Sequence, residues 1–231
     1  MYNHNLDPVA FTLFNFKVYW YSLSYLFGFL FSYFYAKYLI KKGYFEINFS
    51  NFEDFLGWAV IGVVFGGRIG YVIFYNFDFY YQNPMEIVKI WKGGMSFHGG
   101  LLGLVFSVVL YSRFNKVSNL DLFNLVSACS PFGLFLGRLA NFINGELIGR
   151  PTNSDWGVVF EKNDVLRHPS QIYEATLEGL VIFLIIFFIL KKGYHLRVNI
   201  FSIFLILYGS FRFLLEFFRQ PDSHLGFVLI N

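Results

Sequence analysis

The stretch Tyr173-Glu174-Ala175-Thr176-Leu177-Glu178-Gly179-Leu180-Val181-Ile182-Phe183-Leu184-Ile185-Ile186-Phe187-Phe188-Ile189-Leu190, closed by Lys191-Lys192, decides the fold. It approaches the roughly 20 residues that a helix needs to cross a bilayer. It lacks the alternation of a barrel strand, and only a helix satisfies its own backbone in lipid. Five further apolar runs surround it, giving six spans at about 18–39, 55–74, 97–111, 122–143, 173–190 and 198–218. Composition points the same way, with 56% hydrophobic and 14% charged residues, where a soluble domain has about half and a quarter. Aromatic residues make up 23%, mostly phenylalanine and tyrosine. The expected fold class is an all-α polytopic membrane protein. No linker marks a second domain, so residues 1–231 read as a single integral membrane domain, and no repeat period is visible.

A formal net charge of +3 without a basic stripe argues against nucleic acid as a partner. The single cysteine, Cys129, lies in an apolar run and reads as a buried small hydrophobe. Residues 1–16 are polar and aromatic without a cationic cluster, so the N-terminus does not read as a cleaved signal.

Orientation follows from the cations. Lys37, Lys41 and Lys42, then Arg113 and Lys116, then Lys191, Lys192 and Arg197 fall in alternate short loops. The other loops mix their cations with Asp78, Glu86, Asp155, Glu161, Asp164 and Asp222. Cationic short loops face the cytoplasm, which places the N-terminus outside. The segment 144–172 is the one external loop long enough for a small extracytoplasmic subdomain.

Ionisable groups within spans are costly and mark sites or buried pairs. Arg68, Arg138, Arg212 and Glu216, with Glu174 and Glu178 as further candidates, are such groups. On this topology they gather toward the outer side, together with Tyr21, His98, Asn141, His168, Gln171, Tyr173 and Tyr208. Arg138 sits about five residues from its span end, roughly 8 Å at the helical rise. That is headgroup depth, whereas a proton pump or voltage sensor spreads its charges through the midplane. Tyr208, Arg212 and Glu216 share one helix face, as do Arg138, Asn141 and Asn144. Two helices can thus offer one guanidinium each to a phosphate, a geometry that lysine matches poorly.

Structural readings stand beside these. Arg212 with Glu216 is also a plain i,i+4 ion pair. Arg68, in Gly66-Gly67-Arg68-Ile69-Gly70, is also a snorkelling or helix-bridging residue, and His98 an interfacial one. Glu178 reads as a member of a buried polar pair. The pairs Gly62/Gly66, Gly66/Gly70, Gly99/Gly103 and Gly133/Gly137 read as close helix contacts.

Gly137-Arg138-Leu139-Ala140-Asn141-Phe142-Ile143-Asn144-Gly145-Glu146-Leu147-Ile148-Gly149 closely resembles the signature of the prolipoprotein diacylglyceryl transferase family. Five more segments are similar to that family in the same order: Gly67–Tyr71, Gly94–Gly100, His168–Glu174, Tyr208–Phe213 and Phe218–Asp222. Each segment is a weak pattern, but six in order over nearly the whole chain are specific.

The resemblance implies transfer of the sn-1,2-diacylglyceryl group of phosphatidylglycerol to the lipobox cysteine of a prolipoprotein, releasing glycerol 1-phosphate. It implies no metal and no cofactor. It implies phosphatidylglycerol, the prolipoprotein lipobox segment and membrane lipids as partners, and a place in the bacterial inner membrane with the site toward the outer leaflet. Within it, Arg138 and Arg212 are expected on the phosphate, with Arg68 and Gly149 among the substrate contacts. Asn141 and Asn144 are expected to hydrogen-bond the headgroup, while Glu146 and Glu216 orient the arginines. His98 is the expected base for the cysteine, with Tyr21, Tyr208 or ionisation of the thiol without a dedicated base as alternatives. A small-anion or lipid transporter with a paired-arginine site is the competing reading. Two departures stand out. The family usually carries an acid where this chain has Asn124, with Asp121 one turn earlier as a substitute. Family members also continue into a seventh span, expected to be missing from a chain that stops at Asn231.

Overall fold

The computed structural model of the chain describes residues 2–160, 165–193 and 198–220. The expectations for Glu161, Asp164, Arg197, Pro221, Asp222 and a seventh span lie outside the described residues. Helices occupy all six predicted spans: α1 (Trp20–Lys41), α2 (Phe49–Tyr75), α4 (Phe97–Asn115), α5 (Asn119–Asn144), α6 (Ser170–Lys191) and α7 (Ile200–Glu216), with a short α3 (Phe77–Gln82) between. The first four of these spans and α6 are long and apolar enough to cross a membrane. α7 has 17 residues, at the short end of spanning lengths. The protein is a multi-pass helical membrane protein. Large side chains such as Ile61, Phe65, Phe106 and Ile206 are exposed, whereas Glu174, Glu178 and Gln171 are fully buried. That inversion suits lipid as the outer solvent.

The contacts divide the chain into two compact units, residues 1–39 with 124–231 and residues 40–123. In the second, α2 and α4 meet backbone to backbone. A β-carbon added at Gly62 would overlap Gly103 O and Ser107 Oγ, and one at Gly66 would overlap Gly99 O. Van der Waals contact between small residues drives such pairing, since lipid offers no hydrophobic gain. Between the two helices the chain passes through α3 and two 3-10 turns, Pro84–Glu86 and Ile90–Lys92. Glu86 binds Lys89 and Lys92, and these hydrogen bonds hold its carboxyl below the usual range. Ser96 caps α4, its Oγ accepting from Gly99 N at 3.2 Å.

In the first unit, Phe31, Phe132 and Phe183 form a ring cluster against α1, α5 and α6, with Phe31 and Phe132 stacked at 3.9 Å. Here the aromatic excess becomes core. α6 is not one regular helix. It runs α over Ser170–Glu174, π over Ala175–Val181 and α again over Ile182–Lys191. Gly179 lies in the π segment, where an added β-carbon would stand 2.6 Å from Phe135 Cα. The Asn124 side chain accepts from Phe201 N at 2.9 Å, capping α7 from a neighbouring helix. A neutral amide therefore does at this position what a carboxylate could also do.

Gly133 and Gly137 bear out the expected close contact only in part: a β-carbon at either meets nothing within 4 Å, but one at Gly28 of α1 would stand 3.5 Å from Gly133 Cα. Strands were not foreseen. β1 (Tyr2–Asn3) pairs parallel with β4 (Val158–Val159), which pairs antiparallel with β5 (Leu166–Arg167). β2 (Val9–Leu13) and β3 (Phe16–Tyr19) form a hairpin whose turn residues Phe14 and Asn15 have φ of 45° and 68°. Twist-matched two-residue turns require positive φ, and glycine usually supplies it.

Candidate active site

Three helices of the first unit carry a knot of charge. α6 presents Glu174 and Glu178 one turn apart, α5 presents Arg138, and α7 presents Arg212 and Glu216. Glu174 Oε2 lies 2.9 Å from Arg138 Nη1, and Oε1 accepts from Arg212 Nη1 at 3.1 Å. Glu178 stands at 3.5 Å from Arg138 Nη2 and 3.9 Å from Arg212 Nη1. Arg212 Nη2 donates to Glu216 Oε2 at 2.9 Å. Arg219 Nε lies 3.9 Å from Glu174 Oε1. The two carboxylates of α6 are fully buried, while the Arg138 and Arg212 side chains remain 19% and 27% exposed. A buried carboxylate persists only with cations about it. The arginines are thus held by buried carboxylates while their own side chains stay partly exposed.

The π segment sets this spacing. It begins directly after Glu174 and contains Glu178, and π-bulges recur at functional sites. Gly179 lets α6 approach α5 at Phe135, one turn before Arg138. Tyr208, half-buried on α7, lies within electrostatic reach of Glu178, Arg138, Arg212 and Glu174.

A cavity of about 480 Å³ opens beside Tyr19, Tyr21, Ser22, Asn141, Asn144, Glu146 and Leu147. Asn141 Nδ2 and Asn144 Nδ2 donate to Glu146 Oε1 at 2.8 and 3.2 Å. The Tyr21 hydroxyl is 3.2 Å from that of Tyr25 and within electrostatic reach of Glu146 and Arg138. Asn141 is one turn beyond Arg138 on α5, so the cavity and the charge knot adjoin along one helix.

Three of the expected site residues are engaged by other parts of the protein. Glu146 contacts the two asparagines, not an arginine. Gly145 and Leu147, at φ of 67° and 55°, fold its side chain back over the end of α5. Gly149 is a packing point: an added β-carbon would overlap His168 O and stand 2.8 Å from Phe218 O. Gly149 N donates to His168 O, and Arg150 N donates to Phe218 O at 2.9 Å, tying the 144–172 loop to the end of α7. Arg68 belongs to the second unit, where backbone carbonyls engage its guanidinium: Nε to Ile87, Nη1 to Gly93 and Gly94, Nη2 to Glu86 and Lys89. His98 is in that unit too, exposed in the first turn of α4 with its ring edge-on to Phe97.

Glu178 is the buried polar pair member that the sequence indicates, and Glu174, a candidate without an expected role, proves to be the centre of the knot. The signal was present, since two acids at i,i+4 interrupt an otherwise apolar span. His168 and Tyr173 pair at 3.3 Å outside the knot, and burial lowers the His168 pKa.

Comparison with known proteins adds an independent line. The family model described as prolipoprotein diacylglyceryl transferase matches residues 8–231. A relative from Rickettsia canadensis (strain McKiel), named phosphatidylglycerol–prolipoprotein diacylglyceryl transferase, is 47% identical over 228 residues, covering 97% of this chain and 88% of its own. Proteins of the same name from Rickettsia felis and Rickettsia bellii are 47% and 45% identical, each covering 97% of this chain and 88% and 86% of their own.

Proposed function

The chain belongs to the prolipoprotein diacylglyceryl transferase family, and on that premise we propose that it moves the sn-1,2-diacylglyceryl group of phosphatidylglycerol onto the lipobox cysteine of a prolipoprotein. The cysteine sulfur attacks the glyceryl carbon that carries the phosphate ester. A carbon–sulfur bond forms, the carbon–oxygen bond breaks, and its electron pair leaves on the phosphate oxygen of glycerol 1-phosphate. The thiol proton must be removed, because the thiolate is the nucleophile.

One observation carries the reading: Arg138 and Arg212 come from separate helices and are cross-held by the buried Glu174, with each arginine side chain still partly exposed. A planar fork fixed in this way suits a phosphate diester and stabilises the charge that grows on the departing oxygen. Glu216 orients Arg212. The cavity beside Asn141, Asn144, Glu146 and Tyr21 takes the glycerol headgroup, whose hydroxyls match amide and carboxylate partners. Tyr208 lines the same knot. His98 takes the thiol proton, since an imidazole nitrogen can accept it as a general base.

The site lies toward the outer leaflet of the bacterial inner membrane, with the N-terminus and the 144–172 segment extracytoplasmic. The distribution of Lys37, Lys41, Lys42, Arg113, Lys116, Lys191 and Lys192 supports this orientation. The test is reconstitution in vesicles with phosphatidylglycerol labelled in its headgroup and a lipobox peptide. Expected are a thioether-linked diacylglyceryl peptide and one equivalent of labelled glycerol 1-phosphate. Release of the label without peptide modification, or no release, refutes the assignment.

A further inference from the structure

Arg68 is 4% exposed and, among the described residues, has no carboxylate partner. A buried guanidinium without a counter-charge is costly unless every donor is satisfied. Here all five are: the carbonyls of Glu86, Ile87, Lys89, Gly93 and Gly94 surround it, and the Tyr80 ring lies 5.0 Å from Cζ. An apolar side chain here would leave those five carbonyls without their donor. What the fork does is gather one stretch of chain, 86–94, around a single point.

The stretch leads straight to His98. Gly93 and Gly94 both take positive φ, 81° and 80°, which turns two successive carbonyls onto Nη1. Two residues on, Ser96 N donates to Gly67 O at 2.8 Å, the carbonyl that precedes Arg68. Ser96 Oγ then caps Gly99, so the turn that carries His98 starts from a fixed register. Gly94, Ser96 and the first turn of α4 are thus tied to two consecutive residues of α2. Lysine could not reproduce this, since its ammonium has three donors and no plane.

We infer that Arg68 is a positioning residue for the transfer reaction: through the carbonyls of 86–94 it fixes the α4 entry and so places the imidazole of His98. The inference rests on the proton-accepting role given to His98. Four full-length proteins test it: wild type, Arg68→Lys, His98→Gln and the double variant, each read by kcat, by KM for phosphatidylglycerol and by amide hydrogen exchange over 95–100. The expected result for Arg68→Lys is a kcat about tenfold lower or more, KM within about twofold, and faster exchange confined to that turn. The double variant should be no slower than His98→Gln alone, because a residue acting through His98 has nothing left to act on. Multiplying losses in the double variant, unchanged exchange, or a slow Arg68→Lys beside a normal His98→Gln overturns the inference. If Arg68→Lys does not accumulate, Gly94→Ala replaces it; its β-carbon stands 2.9 Å from Arg68 Nη1 and 2.6 Å from Tyr71. A wild type that transfers no diacylglyceryl group refutes the function, and exchange then decides the positioning by itself.

Discussion

Replacing Glu174 by glutamine tests whether the charge knot is held together by its buried centre. The substitution keeps the volume and converts one carboxylate oxygen into an amide NH2. Glu174 Oε1 accepts a charge-assisted hydrogen bond from Arg212, and Oε2 makes an ion contact with Arg138 at 2.9 Å. A charge-assisted bond contributes about 1.5–3 kcal/mol and a neutral one about 1, so weakening the first costs roughly 1 kcal/mol. On the other side, a donor now faces Arg138. That costs a further 1–2 kcal/mol or so, reduced because Arg138 is 19% exposed and retains Glu178 at 3.5 Å. The expected loss is about 2–3 kcal/mol. The assay is denaturant unfolding in mixed micelles, followed by tryptophan fluorescence. The control is Glu216→Gln, whose side chain is 37% exposed, so its pairing is screened by solvent and should contribute less than about 1 kcal/mol. A Glu174→Gln protein within about 0.5 kcal/mol of wild type, on the scale of an ordinary surface change, would refute the reasoning. So would a greater loss for Glu216→Gln.

Arg138→Lys keeps the charge and removes the fork, so turnover with subsaturating phosphatidylglycerol should fall tens-fold or more, equivalent to about 2–3 kcal/mol; wild-type turnover removes the phosphate role. His168 has its pKa lowered by burial from an ordinary value near 6.5. The unfolded chain therefore takes up this proton more readily, and the contribution to stability is complete above about pH 6.5 and lost as pH falls through the lower folded pKa. Unfolding midpoints from pH 7.5 to 5 should show a steeper acid loss in wild type than in His168→Gln, and parallel curves count against it. With Cys129 replaced, single cysteines at Asn115 and Asp155 should label from opposite sides of intact cells, Asp155 from outside; labelling of both from one side means a miscounted span.

The spans were legible because hydropathy alone decides which runs a bilayer accepts. The arginine-bearing faces of α5 and α7 were legible because helical spacing is fixed. What the sequence hid depends on local conformations without a residue signature. Phe14-Asn15 turns a hairpin without glycine, and Leu147 takes a left-handed conformation that no leucine advertises. Beside that second turn, Glu146 accepts from Asn141 and Asn144. The π segment of α6 was hidden as well, since its width reflects how Gly179 meets Phe135 and not the composition of Ala175–Val181. Glycine spacing misled in one place. Gly133/Gly137 and Gly62/Gly66 have the same i,i+4 pattern, yet a β-carbon fits at either residue of the first pair and overlaps the facing backbone at the second. Spacing shows that a surface is small; only the fold shows whether anything approaches it.

The meeting of α2 with α4 has a mechanical consequence. Most helix pairs are separated by a layer of side chains that can change rotamer, and that layer acts as a lubricant. Gly62, Gly66 and Gly70 face Gly99 and Gly103 with only the short side chains of Ser96 and Ser107 beside them. Such a pair cannot slide or roll by small increments, because each carbonyl sits in a notch of the opposite chain. It moves as a single beam, or it must first come apart. A load applied at the Arg68 end of α2 is therefore carried into α4 without slack.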